Sequence, residues 1–270
     1  MKKSIFYVLA GAVIALASCS KKDAASNGEL DGTWKVTEST TETKNTNYAW
    51  DSNKKSKYMS NVTTEKEVVT GETLTVDVSS TDYTSSGTSI TPKPIKKTGT
   101  TTTEVTFDKK AGTFSMKSTR NLKWSQDIEY GGTVYGTTEY TTSEETTMSG
   151  TYFLNQKSGE TGKGTLVTMI IEKIDLTEKE KSSYTQKGTT TAEVEEEVTT
   201  SSMTYTGNDN AILFTIIEAA KGVLKVEETS SYIVTSKTTT TNSIGSSSQS
   251  YTTEGEVKIE TTGSTTLEKQ

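Results

Sequence analysis

Four glutamates within five residues, Glu193, Glu195, Glu196 and Glu197, are the densest group in this sequence able to do acid and base chemistry. A pair of carboxylates facing each other across a cleft would serve glycoside hydrolysis. Alternation along a strand divides these four between two faces, however, and a charge run usually reads as a solvated surface. The chain has no histidine, which removes the commonest general base and metal ligand and, with it, the Ser-His-Asp and Cys-His arrangements. Residues 159–165, GETGKGT, hold the residue types of a phosphate loop, but Gly164 is followed directly by Thr165 instead of by Lys-Ser/Thr, so they read as a hairpin loop. Asp209 in GNDNA lacks the spacing of an EF-hand loop and reads as part of a turn. The expectation is a protein that is not an enzyme, with no catalytic residues, no metal and no cofactor.

One nucleophile is left, the single cysteine, Cys19. Lys2 and Lys3 precede an apolar stretch over residues 5–16, and Ala17-Ser18 makes a small-residue exit, the layout of an export signal. That apolar core is shorter than the roughly 20 residues that span a bilayer. An exported chain with one cysteine has a thiol without a disulfide partner. Leu16-Ala17-Ser18-Cys19 resembles the lipobox of bacterial lipoproteins, and the resemblance implies that residues 1–18 are a signal peptide and that Cys19 is lipidated and becomes the first mature residue. Several acyl chains, at about 0.8 kcal/mol per buried CH₂, would hold the protein on a membrane without crossing it. Residues 19–28 then form a tether. Ser20 with Lys21-Lys22-Asp23 is partly similar to the charged export signal of surface lipoproteins of the Bacteroidetes group, which implies the outer membrane, with the periplasmic and surface faces both open.

What stands on this tether must be built from an unusual composition. Hydrophobic residues make up 30% of the chain, below the 45–50% usual in globular domains. Threonine fills much of the gap, at about a fifth of all positions, and it favours the half-buried surface of a sheet. With only Pro92 and Pro94 against 3 Trp, 12 Tyr and 5 Phe, the chain lacks the signature of disorder. Its net charge is -6, so it offers no basic footprint for nucleic acid.

Periodicity points to an all-β fold. Phe114, Met116, Leu122 and Trp124, continued by Ile128 and Tyr130, share one parity, and Val105 and Phe107 share another strand face just before them. Between the two runs, residues 108–112 form a hairpin loop ending in glycine. Gly131-Gly132 marks the next hairpin, because both central positions of a type I′ turn need φ above zero. Tyr140, Met148, Tyr152 and Leu154 again share a parity, over a length that calls for a bend, placed at Gly150, or for long ribbons. The apolar runs 165–174 and 211–220 read as strands buried on both faces or centrally placed, and a ribbon closes the chain after a serine-rich loop at 246–248. Helix competes only at residues 176–181. Residues 29–270 read as a single domain, with residues 79–99, which hold both prolines, as a long loop within it or a seam between two.

Leu30-Asp31-Gly32-Thr33-Trp34 resembles the opening of the lipocalin-like lipoproteins of Bacteroidetes, and Gly32 and Trp34 match the Gly-x-Trp motif on the first strand of lipocalins. VTFDKKAGTFSM is similar to a later hairpin of that family, and the closing ribbon through Leu267 sits where its last strand would. The resemblance implies an antiparallel meander closed into a barrel, or a related open barrel or sandwich, with Trp34 at the narrow end and Gly32 turning the chain into its first strand. In lipocalins an arginine near the last strand usually lies over that tryptophan; here the only arginine is Arg120, in mid-chain.

Two kinds of function fit. A barrel or cup would hold a small apolar ligand or a glycan, for which Tyr48, Trp50 and Tyr58, clustered outside any clear strand pattern, are the candidate contacts. Long threonine-rich ribbons would instead present a surface, and edges open to strand addition, to another envelope protein or a host surface. A closed barrel with an apolar cavity favours the first, an open sheet the second. A transmembrane barrel fits poorly, since its lipid-facing positions would be largely threonine.

Overall fold

The structure is a computed structural model and describes residues 30–51, 56–155, 165–204, 211–220, 222–244 and 247–270. The signal segment, Cys19 and the tether lie outside the described residues, as do Asp209 and nearly all of the glycine-rich stretch 159–165. The strands are β1 (Gly32–Asp51), β2 (Ser56–Thr70), β3 (Thr73–Tyr83), β4 (Ser89–Ile90), β5 (Ile95–Asp108) and β6 (Thr113–Tyr130). They continue as β7 (Thr133–Asn155), β8 (Leu166–Gln186), β9 (Ala192–Thr204), β10 (Ala211–Ala220), β11 (Val223–Ile244) and β12 (Ser247–Lys269). All belong to one 12-stranded antiparallel sheet, a meander of long strands with no helix among the described residues.

The meander closes at one end only. The start of β1 pairs with β5 (Gly32 with Phe107, Lys35 with Glu104), and the lower half of β8 pairs with β10, which passes the sheet on to β11. Through β12 the path returns to β1, where Trp34 faces Lys269, so that β1, β5, β6, β7, β8, β10, β11 and β12 form a ring of eight strands. Above this base, β2 and β3 insert between β1 and β5, and β9 takes the edge of β8 that β10 occupies lower down. No described strand pairs with the far edge of β9, so the upper part of the sheet is open.

Alternation fills the base. Trp34, Val105, Phe107, Phe114, Met148, Tyr152, Val167, Met169, Ile171, Ile216, Leu224 and Leu267 point inward and form one buried cluster. Each such side chain stabilises by about 1.5–3 kcal/mol relative to exposure. Phe107 and Tyr152 meet edge to face with ring centroids 5.0 Å apart. A second, smaller cluster of Val69, Leu74, Val76 and Leu122 lies higher, and Val36 touches both. Between neighbouring strands, hydroxyls pair in ladders, Thr102 with Thr119 at 2.6 Å and Thr103 with Ser118 at 2.9 Å among them. Threonine thus serves the sheet twice, as a β-branched residue and as a cross-strand partner.

The hairpins expected at 108–112 and at Gly131-Gly132 are present, joining β5 to β6 and β6 to β7. Three stretches that residue order left open take a definite form. Residues 176–181 are strand: Leu176 is buried while Thr177 and Lys179 face away, an alternation that a helix could not satisfy here. The run 165–174 is centrally placed, with β7 on one side and β10 on the other, and is not buried on both faces. Val167, Met169 and Ile171 point inward, an extra residue at Glu172 interrupts the ladder with β7, and Ile174 and Leu176 then resume the inward file. Such a bulge shifts the parity by one. Across it stands Gly150, where a Cβ would fall 1.9 Å from the Ile170 carbonyl oxygen. The bend expected at Gly150 is therefore a register shift within unbroken strands. Tyr48, Trp50 and Tyr58, which showed no clear strand pattern, lie in strands: β1 runs to Asp51, and β2 starts at Ser56. On either side of the stretch 79–99, β3 and β5 pair directly, Thr73 with Thr100 through Val78 with Ile95.

Candidate functional site: the concave face above the ring

Gly32 enters β1 with φ of +103°, a conformation other L-residues rarely adopt, and places Trp34 over the bottom of the core. The Trp34 indole Nε1–H donates to the Leu30 carbonyl at 2.8 Å, and Leu30 is fully buried beneath it. Lys269, at the end of the last strand, brings Nζ to 5.6 Å from the Trp34 ring centroid. The cation over the tryptophan is thus a lysine from β12, while Arg120 works elsewhere.

Tyr48, Trp50 and Tyr58 do not form one contact surface. Tyr48 pairs with Met59 and Ala49 with Tyr58, so alternation sends Tyr48 and Tyr58 to opposite faces of the β1–β2 ribbon. Trp50 pairs with Lys57 in the same ladder. Lys57 lies 4.5 Å from the Tyr48 ring centroid and also forms an ion pair with Glu256. Their clustering in sequence reflects the hairpin that joins the two strands.

The groups that do converge lie on the inner face, just above the apolar base. Arg120 shares the parity of Phe114 and Trp124 and reaches across the interior from β6 to β2, where its Nη2 donates to Glu67 Oε2 at 2.8 Å. The side chains of the pair are 18% and 28% exposed. Around them stand Glu65, Glu144 and Glu178, with Thr146 donating to Glu144 at 3.3 Å. Burial pushes the Glu65 carboxyl above its usual range against the opposing pull of Lys97 and Arg120. It does the same to Glu144, again opposed by Arg120. Glu178 is raised by burial and then by Glu144 and Glu180. Burial works against the charge on Arg120 itself, yet Glu67, Glu144, Glu65 and Glu178 together hold its pKa above the usual value. The guanidinium Nε is buried and makes no hydrogen bond.

At the rim of this polar layer, Trp124 stacks on Tyr140 at 4.9 Å with 9° between the rings, and Lys97 lies 4.6 Å from the Trp124 centroid. The flat pair and its cation offer a platform of the kind that contacts sugars or other flat apolar groups. On the outside of the ring, Glu104, Ser115, Lys117, Ser149, Lys173 and Asp175 line an open depression of about 280 Å³. Among the described residues no three acidic side chains are arranged to hold a metal ion.

Reading the sequence for chemistry singled out Glu193 to Glu197 and passed over Arg120 with its glutamates. The signal was present in the alternation: residues 118 and 120 lie in the same file as Phe114, Met116, Leu122 and Trp124. In comparisons with known proteins, the chain matches no family model and no curated sequence.

Proposed function

We propose that this protein is a non-enzymatic lipoprotein of the outer membrane, anchored through a lipidated Cys19, whose β ribbons bind another envelope protein or a host surface. The observation that carries the reading is the contrast within the sheet: the closed base is occupied by its own side chains, and the open upper part has strand edges with which no described strand pairs. A carrier of small ligands needs a pocket of about 300–1,000 Å³ that buries most of its cargo, and the depression on the outer wall, about 280 Å³, is open and ringed by Glu104, Lys117, Lys173 and Asp175. The lipocalin-like resemblance is supported by Gly32, Trp34 and the cation of Lys269 at the closed end. Because β1 starts at that end, a tether from Cys19 would set the base toward the membrane and the ribbons away from it.

A second reading, a small apolar ligand or glycan held on the concave face, is favoured by the Trp124–Tyr140 stack beside Lys97. The two separate in a glycan-binding titration of wild type and Trp124→Ala, where loss of a measurable signal supports the second reading. For the anchor, cells expressing wild type or Cys19→Ala are fed radiolabelled palmitate, fractionated, and treated intact with protease. Label and outer-membrane recovery that vanish in Cys19→Ala, with ribbons cut on intact cells, are the expected result. Unlabelled wild type overturns the anchored reading, and ribbons protected on intact cells exclude the host surface in favour of an envelope partner.

A further inference from the structure

We infer that the free edge of β9 receives an extended segment of a partner protein in which basic and apolar residues alternate, added to the sheet as a further strand. The inference rests on the ribbon reading above and gives the partner a chemistry.

The first argument is the backbone. β9 is hydrogen-bonded to β8 continuously from Ala192–Thr185 to Thr204–Lys173 without a register shift, and no described strand lies along its other side. Half of its N–H and C=O groups therefore point to an unoccupied edge. Proteins usually blunt such an edge with lysine, proline, a bulge or a very short strand. β9 is 13 residues long, AEVEEEVTTSSMT, and has none of these; its protection is its four glutamates, which repel any strand but a basic one.

The second argument is charge. Glu193, Glu195 and Glu197 lie opposite Tyr184, Ser182 and Glu180, on the concave face that also bears Glu178, Glu144, Glu65 and Glu67. The cations identified there are Arg120, engaged with Glu67, and Lys97, which lies over Trp124. Two like-charged pairs stand directly across the ladder, Glu144 with Glu178 and Glu180 with Glu197, an arrangement that costs stability in a free sheet. Basic side chains on the inward positions of an added strand would meet these carboxylates. Outward, Glu196 is paired with Lys181 at 2.8 Å, and it is flanked by Val194 and Val198, which are 53% and 62% exposed. Apolar residues on the alternate positions of the added strand would cover them.

The same charges argue against a second copy of this chain. Two β9 edges would set glutamates against glutamates. Above its pairing with β10, β11 carries a single lysine, Lys237, over residues 228–244. The recognition is strand addition, in which main-chain bonds give affinity and alternate side chains give specificity.

The test uses the full chain in detergent and three blocked peptides as long as β9: alternating valine and lysine, alternating valine and glutamate, and the valine–lysine peptide N-methylated at alternate residues. In calorimetric titrations the valine–lysine peptide is expected to bind, about tenfold or more tightly than its N-methylated form. The double variant Glu195→Lys/Glu197→Lys, whose changes lie on exposed positions, is expected to lose about tenfold in affinity for the valine–lysine peptide and to gain binding of the valine–glutamate peptide. An unchanged thermal midpoint would show that the variant folds, and Val194→Thr/Val198→Thr gives an uncharged second probe, expected to weaken binding less. Equal affinity for the N-methylated peptide would reduce the interaction to charge attraction and overturn the inference. So would the absence of binding, undiminished binding by the lysine variant, or dimerisation through β9 in sedimentation. None of these results bears on palmitate labelling or protease access, so this inference can fail while the anchored reading stands.

Discussion

The base and the upper ribbons of this sheet are made from the same strands and differ in what their inward files carry. Along β6, Phe114 and Met116 face the base, Ser118 and Arg120 the middle, Leu122 and Trp124 the smaller upper cluster. Along β7 the residues paired with these are Gly150 and Met148, then Thr146 and Glu144, then Thr142 and Tyr140. Closure follows the apolar content: where the inward file is continuously apolar the strands join into a ring, and where it turns to threonine and glutamate they separate and leave edges. A 30% hydrophobic composition thus supports a full core at one end of the molecule, and hydroxyl ladders carry the sheet onward from it.

The largest expected effect is at the base. Trp34→Ala removes a buried indole, its hydrogen bond to Leu30 and the seat of Lys269, and is expected to cost about 3–5 kcal/mol, read as a drop in the midpoint of thermal or urea unfolding. A loss below about 1 kcal/mol would mean that the ring is not the stabilising unit.

Arg120→Met probes the middle layer. It strands Glu67, Glu65 and Glu144 without their cation. Because the pair is partly exposed, the cost at neutral pH is expected to be about 1–3 kcal/mol, below that of breaking a fully buried pair. Glu65 and Glu144 already have folded pKa values above their ordinary ones. Between the ordinary and the raised value the folded state holds more protons than the unfolded state, so their ionisation lowers stability as the pH rises through that window. Without Arg120 the window widens upward. The deficit of the variant should therefore shrink when urea unfolding is repeated at about pH 5 instead of about pH 7; a deficit that grows on acidification would place the destabilisation elsewhere.

The smallest effect is expected at the tip of the last hairpin. Beyond Glu256, β12 no longer pairs with β1, and among the described residues, 236–244 and 247–255 pair only with each other, as a two-stranded ribbon. Excising residues 238–253 and closing the ends with Asn-Gly should change stability by less than about 0.5 kcal/mol. A larger loss in the same urea assay would show that the ribbon supports the ring.

Local features of this fold were legible from residue order alone. The hairpins at 108–112 and 131–132 could be read because a turn signal and two alternating files lie side by side, and the inward file of β6 continued through Arg120. Closure into a barrel was expected from the resemblance at residues 30–34, but which strands make the ring was not legible, because it depends on β10 bridging β8 and β11, which no local pattern announces. The bulge at Glu172 hid a one-faced strand as a two-faced apolar run. Tyr48 and Tyr58 seemed to share a surface only because a hairpin brings opposite faces together in sequence. Arg120 lacked a partner in any local reading because Glu67 comes to it from the far side of the interior.

The join between first and last strands also governs when the molecule can form. Ser39 and Thr265, hydrogen-bonded at 3.0 Å across that seam, are 226 residues apart in the chain. The meander pairs mostly neighbouring strands, but closing it through so distant a pair crosses a barrier of loop-closure entropy, and all-β folds form on the order of milliseconds to seconds. During synthesis, with the N-terminus leading, the ring cannot close until residues 264–269 arrive. The long threonine files and scattered lysines and glutamates suit that interval, since they keep half-finished ribbons soluble and poorly adhesive to one another until the last strand completes the ring.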